Sequence, residues 1–387
     1  MKVKPALRTE SVKEYYFSAK LRQIDQMRRN GADVISLGIG SPDQPPSENT
    51  IERLAAEARK PNVHGYQSYN GSTALRKALS EWYQKYFGVK LDPDSEILPL
   101  LGSKEGIMHI SMAFVDPGDE VLVPNPGYPT YSSVTNLVGG KIRYYDLDEE
   151  RGWLPDLKSL EKEDLSGVKL MWTNYPNMPT GAKASLKLFR DLTDFSRTHG
   201  ILLINDNPYS FILNNDYLSI LSTEGAMETV LELNSLSKSH NMAGWRIGMV
   251  AGHGEYIKNI LKVKSNMDSG MFLPLQLAAV EALNNPESWY VSVNETYAER
   301  RLTAESIMDI LGCTFDRSQT GMFLWGRIPE TIGNCESFVE EILNKALVFI
   351  TPGFIFGSRG ERYIRISLCA DNIRLKEARE RILSLKI

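Results

Sequence analysis

Between residues 50 and 280, short apolar runs and helix-like stretches alternate, and this alternation restricts the fold more than any other feature of the chain. The runs fall at 97–101, 120–123, 169–173, 201–204, 230–233 and 248–251, and stretches such as 104–114 and 184–199 separate most of them. Strands alternating with helical segments of that length form α/β units with a largely parallel sheet. In such sheets ligands sit beyond the carboxyl ends of the strands. The residues just after each run are therefore the first candidates for chemistry.

The ends of the chain have a different pattern. Phe17, Leu21, Ile24 and Met27 stand at three- and four-residue spacing with Gly31 beyond, which predicts an amphipathic helix over 12–30. The proline-rich string SPDQPPS at 41–47 then breaks the chain. From about 281 a long helical stretch rich in Glu, Arg and Ala leads to alternating runs at 322–326 and 363–367 and a closing helix over 372–385. With 387 residues, two domains are expected. We read residues 46–280 as a large α/β domain, and 1–45 with 281–387 as a smaller α+β domain.

Composition narrows the function. A net charge of −4 with both signs interspersed argues against nucleic acid as partner. Three widely spaced cysteines (Cys313, Cys335, Cys369) without a C-x-x-C, and five histidines without an H-x-x-x-H pair, support neither a disulfide framework nor a metal site. The N-terminus has no apolar signal region, and no uncharged apolar stretch reaches the length of a membrane span. A cytoplasmic protein without membrane or metal is expected.

The most informative string is SLSKSHNMAGWRIG, residues 235–248. It puts Lys238 directly after an apolar run, in a serine-rich turn, with Arg246 eight residues on. Serine hydroxyls and a guanidinium suit a phosphate, and a lysine beside them can form an imine with an aldehyde held there. An isolated S-x-S-K would more often be an exposed polar loop. The whole string, however, resembles the lysine signature of the class I/II pyridoxal-phosphate (PLP) aminotransferases. That resemblance implies the aspartate-aminotransferase-like fold, with PLP as cofactor. It makes Lys238 the Schiff-base lysine, Arg246 a phosphate ligand, and Ser235 and Ser237 hydroxyls of the phosphate cup.

Further segments match the same family in order, over roughly residues 33 to 385. Gly102-Ser103-Lys104 opens a helix whose N-terminus offers unpaired N–H groups to a phosphate. Asp206 and Tyr209 in INDNPY resemble the aspartate that pairs with the protonated pyridine nitrogen and the tyrosine that bonds the phenolic oxygen. A carboxylate at that nitrogen keeps the ring a good electron sink. Tyr128 in PNPGYPTY matches the aromatic stacked on the ring. Tyr66 in YQSYNGSTALR matches a tyrosine that reaches the partner's phosphate, which implies a homodimer with shared sites. Arg365 in RYIRIS resembles the arginine that grips the substrate α-carboxylate, and Gly40 in LGIGSPD the glycine that lets backbone approach the substrate. One position departs from the pattern. Where the family reads N-P-T-G, with an asparagine donating to the phenolic oxygen, this chain reads NYPNMPTG, with Met178 in that place and no role assignable to Asn174 or Asn177.

The resemblance implies an amino acid and a 2-oxo acid as substrates. GSKEGI and KVKSNMDSGMF look most like LL-diaminopimelate aminotransferases, which would make LL-diaminopimelate and 2-oxoglutarate the pair. The alternatives are a broader aspartate, alanine or aromatic aminotransferase, or a PLP β-lyase. A non-catalytic PLP sensor would carry a basic winged helix ahead of the fold, and no such pattern precedes the proline-rich crossing.

Overall fold

A computed structural model describes residues 3–10 and 16–385. After the helix Tyr16–Arg29 comes a two-residue strand, β1 (Ile35–Ser36), and then the central sheet. Its strands in chain order are β2 (Ile97–Leu100), β3 (Glu120–Asn125), β4 (Lys141–Asp146), β5 (Val168–Thr173), β6 (Leu202–Asp206), β7 (Val230–Ser235) and β8 (Gly248–Gly252). They lie side by side as β2-β8-β7-β6-β5-β3-β4. β8 runs antiparallel to both neighbours, and all other pairings are parallel.

Both faces of this sheet are covered, which is why its strands appear in the sequence as continuous apolar runs. Successive side chains point to opposite faces. Leu98, Leu100, Val121, Val123, Leu170, Trp172, Ile204, Leu231, Leu233 and Val250 pack on one side, with Ile107 and Ile110 of the helix Ser103–Phe114 and Ile257 and Ile260 of the helix Gly254–Lys264. Ile97, Leu122, Met171, Leu203, Val230, Met249 and Ala251 belong to the core on the other side. There Leu75, Leu79 and Trp82 of the helix Thr73–Phe87 meet them, with Leu188, Phe189 and Leu192 of the helix Leu186–His199.

The predicted runs all appear as strands. β4 was not predicted, because Lys-Ile-Arg-Tyr-Tyr-Asp at the sheet edge is largely polar and only Tyr145 is buried. The predicted N-terminal helix begins at Tyr16; positions 12–15 lie outside the described residues.

The remaining strands are β9 (Phe323–Arg327), β10 (Val348–Phe349), β11 (Thr351–Pro352) and β12 (Tyr363–Ser367). β12 lies between β11 and β9, antiparallel to both, while β10 pairs in parallel with β1. Thus the segment after the N-terminal helix and the C-terminal third share hydrogen bonds. The helices Glu287–Ile310 and Asn372–Leu383 pack against each other beside them. Arg300 clamps Asp43 with two bonds of 2.6 and 2.8 Å and also donates to the Leu368 carbonyl at 3.0 Å, tying the proline-rich crossing to the end of the chain. Among the described residues no helix is long and apolar enough to cross a membrane.

Candidate active site

The carboxyl ends of β2, β3, β5, β6 and β7, with the amino end of β8, converge on one cavity of about 370 Å³, within the ~300–1,000 Å³ common for small-molecule sites. Gly40, Ser103, Lys104, Tyr128, Asp206, Tyr209, Ser235, Ser237, Lys238, Arg246 and Arg365 all line it. Of the site residues expected from sequence, Tyr66 alone lies elsewhere.

One end of the cavity is rich in hydroxyls and positive charge. After β2 the chain turns at Gly102 (φ 88°), and the helix starts at Ser103. The Ser103 hydroxyl is buried without a hydrogen-bond partner among the described residues. Opposite it stands Arg246, whose own backbone is left-handed (φ 57°), a conformation that costs a non-glycine residue energy and clusters at functional sites. Its guanidinium donates to the Ala243 carbonyl at 3.0 Å and the Leu101 carbonyl at 3.4 Å. A Cβ at Gly102 would stand 2.1 Å from Arg246 Nη2, so the glycine gives both the turn and the room. Ser235 closes β7, and Ser237 and Lys238 follow on the short helix Leu236–Ser239.

Deeper in the cavity, Lys238 Nζ donates to the Gly40 carbonyl. Burial pulls its pKa below the ordinary lysine value, and the charges of Arg365 and Arg246 add to that effect. Asp206, the last residue of β6, is 5% exposed. Its Oδ2 accepts from the Tyr131 hydroxyl at 3.0 Å, while Oδ1 has no hydrogen-bond partner among the described residues. Burial drives this carboxyl up to about 7. Tyr128 meets Tyr131 edge to face at 5.6 Å, and Tyr131 stacks flat on Trp172 at 5.0 Å. Burial also raises the phenols of Tyr128 and Tyr209.

The third wall comes from β12. The run Tyr363–Ser367 is buried throughout, and Arg365 is 4% exposed, so it is not a surface arginine on an alternating strand. Its Nη2 donates to the Gly38 carbonyl at 2.8 Å, and Nη1 lies 3.2 Å from the Met178 sulfur. Phe323 and Phe356 hold the guanidinium carbon at 3.9 and 4.7 Å from their ring centres. Gly40 has no room for a side chain, since a Cβ would meet the Phe323 ring at 2.3 Å.

Met178 thus reaches the cavity, and so does Asn174. Asn174 spends its amide on the Asp206 carbonyl and its oxygen on the Met178 N–H at 2.8 Å. Asn177 bonds Thr180 and the Asn174 carbonyl and does not line the cavity. Sequence reasoning missed Tyr131, although it sits three residues after Tyr128 in the same string. Phe17 and Leu21 were read only as a helix face, yet they line the cavity. Tyr66 is 92% exposed on a loop held by the Ser72 N–H bond to Gln276 at 2.6 Å and by Arg76 on the Gly71 carbonyl at 2.6 Å.

The assembly joins a lysine nitrogen with weakened proton affinity, a buried carboxylate lacking a cation, a hydroxyl-rich cationic end and an arginine clamp. The sequence pattern of the family "Aminotransferase class I and II" matches residues 32–382. An LL-diaminopimelate aminotransferase of Moorella thermoacetica is 41% identical over 379 residues, 97% of either chain. One from Desulforudis audaxviator is 43% identical, covering 97% of this chain and 96% of its own. Among solved structures, substrate-bound BacF from Bacillus subtilis matches 100% of this chain and 98% of its own, with a TM-score of 0.94 at 33% identity. A mutant aspartate aminotransferase of Thermus thermophilus matches 99% of this chain and 100% of its own, with a TM-score of 0.92 at 26% identity. The fold is that of the aspartate aminotransferases, and the chain belongs to the class I and II aminotransferases, enzymes that transfer amino groups.

Proposed function

We propose that this chain is a PLP enzyme that moves an amino group from an α-amino acid to a 2-oxo acid, with Lys238 as covalent anchor and proton carrier. The buried, unpartnered Oδ1 of Asp206 carries this reading. A carboxylate so placed is costly unless a cation meets it, and a protonated ring nitrogen is such a cation. The phosphate would lie at the N-terminus of the helix Ser103–Phe114, where Ser103, Lys104, Ser235, Ser237 and Arg246 converge. When bound, the cofactor supplies the electron sink that makes the substrate α-proton acidic.

The protein's own groups do the rest. Arg365 takes the α-carboxylate in a two-pronged grip, worth roughly 1.5–3 kcal/mol per charge-assisted bond. That grip fixes the α-carbon, and Lys238 Nζ, freed from the cofactor, removes its proton as base and later returns a proton as acid. Burial lowers the pKa of Nζ, which favours the neutral form this work needs. Tyr209 would donate to the phenolic oxygen of a bound cofactor, and Tyr131 holds Asp206 in place.

The relatives' names supply LL-diaminopimelate as donor, and 2-oxoglutarate as acceptor, in lysine biosynthesis, is the reading that the sequence resemblance implies. We read residues 46–280 as the large domain and 1–45 with 281–387 as the small one, a division supported by the β1–β10 pairing. The exposed Tyr66 supports a homodimer in which that side chain serves the partner's site. Three free thiols, two of them buried, fit a reducing, cytoplasmic setting. The test is to incubate PLP-loaded protein with LL-diaminopimelate and 2-oxoglutarate and measure glutamate. Steady formation that requires both substrates is expected, and none under any donor would refute the reaction.

A further inference from the structure

Behind Asp206 the sheet holds a second buried carboxyl, which the reaction as described does not use. Glu232 lies in the middle of β7, is 0% exposed and does not line the cavity. Across the sheet it pairs with Asn205, the residue before Asp206 on β6. Neighbouring strands lie about 4.8 Å apart, so the two carboxyls stand on adjacent strands one residue out of step.

Four donors meet Glu232. Its Oε1 accepts from the Tyr83 hydroxyl at 2.9 Å and the Ser219 hydroxyl at 2.8 Å. Its Oε2 accepts from the Ile220 N–H at 3.1 Å and the Asn205 amide at 3.4 Å. The direction of these bonds is set from their far sides. The Tyr83 oxygen already accepts from the Asn234 amide at 3.3 Å, and the Ser219 oxygen from the Leu221 N–H at 3.2 Å. Asn205 turns its oxygen to the Tyr175 N–H at 3.0 Å, which leaves its NH2 for Glu232. Were Glu232 protonated, its hydrogen would displace one of these, and a buried hydrogen would lack an acceptor. Burial pushes the Glu232 pKa up, and the four donors pull against it. None of its hydrogen-bond partners among the described residues is a cation. The network therefore fits an ionised carboxylate held in place by neutral donors.

We propose that Glu232 is a fixed anion that holds the proton between Asp206 and the cofactor ring nitrogen, a positioning residue that acts through Asp206. The inference rests on the PLP reading of the cavity. An anion on the next strand disfavours a second bare carboxylate and favours a cationic ring nitrogen. Its charge indeed raises Asp206, after the larger effect of burial. The other titratable groups facing Asp206 are Tyr128, Tyr131, Tyr209 and Lys238, and Tyr83 faces Glu232. Burial raises all four phenols, so they stay neutral through a titration near pH 7.

Asp206 and Glu232 are the described carboxyls that burial raises, so the infrared stretch of a buried carboxylic acid reports on them. In cofactor-free wild type that band should vanish with a midpoint near pH 7, and in Glu232→Gln the midpoint should mark about tenfold lower proton affinity. Cofactor-free Asp206→Asn, which keeps Glu232 and so does not depend on the first variant folding, should show no such band at neutral pH. Glu232→Gln should also bind PLP about tenfold more weakly, yet bind no less tightly the PLP analogue with carbon in place of the ring nitrogen. A band in Asp206→Asn, an unmoved midpoint, or equal losses for PLP and analogue would overturn the inference and leave the PLP reading standing. If wild-type protein binds neither compound, the PLP reading itself fails and the inference falls with it.

Discussion

Met178 stands where the family's asparagine would donate to the cofactor's phenolic oxygen, and a thioether has no hydrogen to give. Donation to the anionic oxygen would stabilise it and lower the proton affinity of the group it shares with the lysine nitrogen. Asn177 does not line the cavity and Asn174 gives one amide hydrogen to the Asp206 carbonyl, so Tyr209 is the expected donor to that oxygen. The lysine-bound cofactor is therefore expected to keep its protonated, longer-wavelength absorbance to higher pH than in Met178→Asn. A spectral titration without substrate measures this, and an apparent pKa that stays or rises in the variant would rule it out. Asp206 gives a second pH effect of definite sign. In cofactor-free protein its folded pKa is about 7 against 3.8 for the free side chain, so the folded state holds a proton that the unfolded state has lost. Stability from this group thus falls as pH rises from about 4 to 7 and is level above. Cofactor-free Asp206→Asn should melt like wild type at pH 4 and be more stable above pH 7, by on the order of 1–4 kcal/mol. With PLP added the order should reverse, because the variant cannot neutralise the ring nitrogen. A wild-type advantage without cofactor at pH 8 would contradict this account.

The helix Ser103–Phe114 depends on the turn before it. An alanine at Gly102 would have to adopt a positive-φ extended conformation (φ 88°, ψ 158°) that is essentially restricted to glycine, at a cost of roughly 1–3 kcal/mol, and its Cβ would displace Arg246. Gly102→Ala should therefore lower thermal stability and weaken PLP binding by about tenfold or more, the worth of one charge-assisted bond. Cofactor titration followed by absorbance checks it, and unchanged affinity would show that Arg246 does not hold the phosphate. The same element scale explains what sequence could reveal. β5, β6 and β7 are covered on both faces, and their unbroken apolar runs gave them away. β4 has one neighbour and only one buried side chain, so pattern carried no signal there. The two-residue strands β1, β10 and β11 are too short to show a period at all.

Across the whole molecule, Gly40, Lys104, Asp206, Lys238 and Arg365 are far apart in sequence and meet only because the strand ends of the central sheet face β12 and the segment after β1. Their types were legible from local motifs. The place of Phe17, Leu21, Phe323 and Phe356 in the cavity lining was not, since apolar residues facing a cavity look in sequence like any other core. Tyr66 bears on the assembly. Its exposed side chain lies outside its own chain's cavity, as the shared-site reading requires. Mixing Tyr66→Phe with Lys238→Ala subunits should give heterodimers with one intact and one doubly damaged site, more active per dimer than either parent. If Tyr66 serves its own chain, no site is intact and mixing yields no gain. The central claim is the covalent role of Lys238, and reductive trapping reaches it most directly. PLP-loaded protein is treated with borohydride, digested, and its peptides weighed. The account predicts one reduced pyridoxyl phosphate adduct per chain, on Lys238, and none in Lys238→Ala. An adduct on Lys104 or another lysine, or no adduct despite bound cofactor, would contradict it.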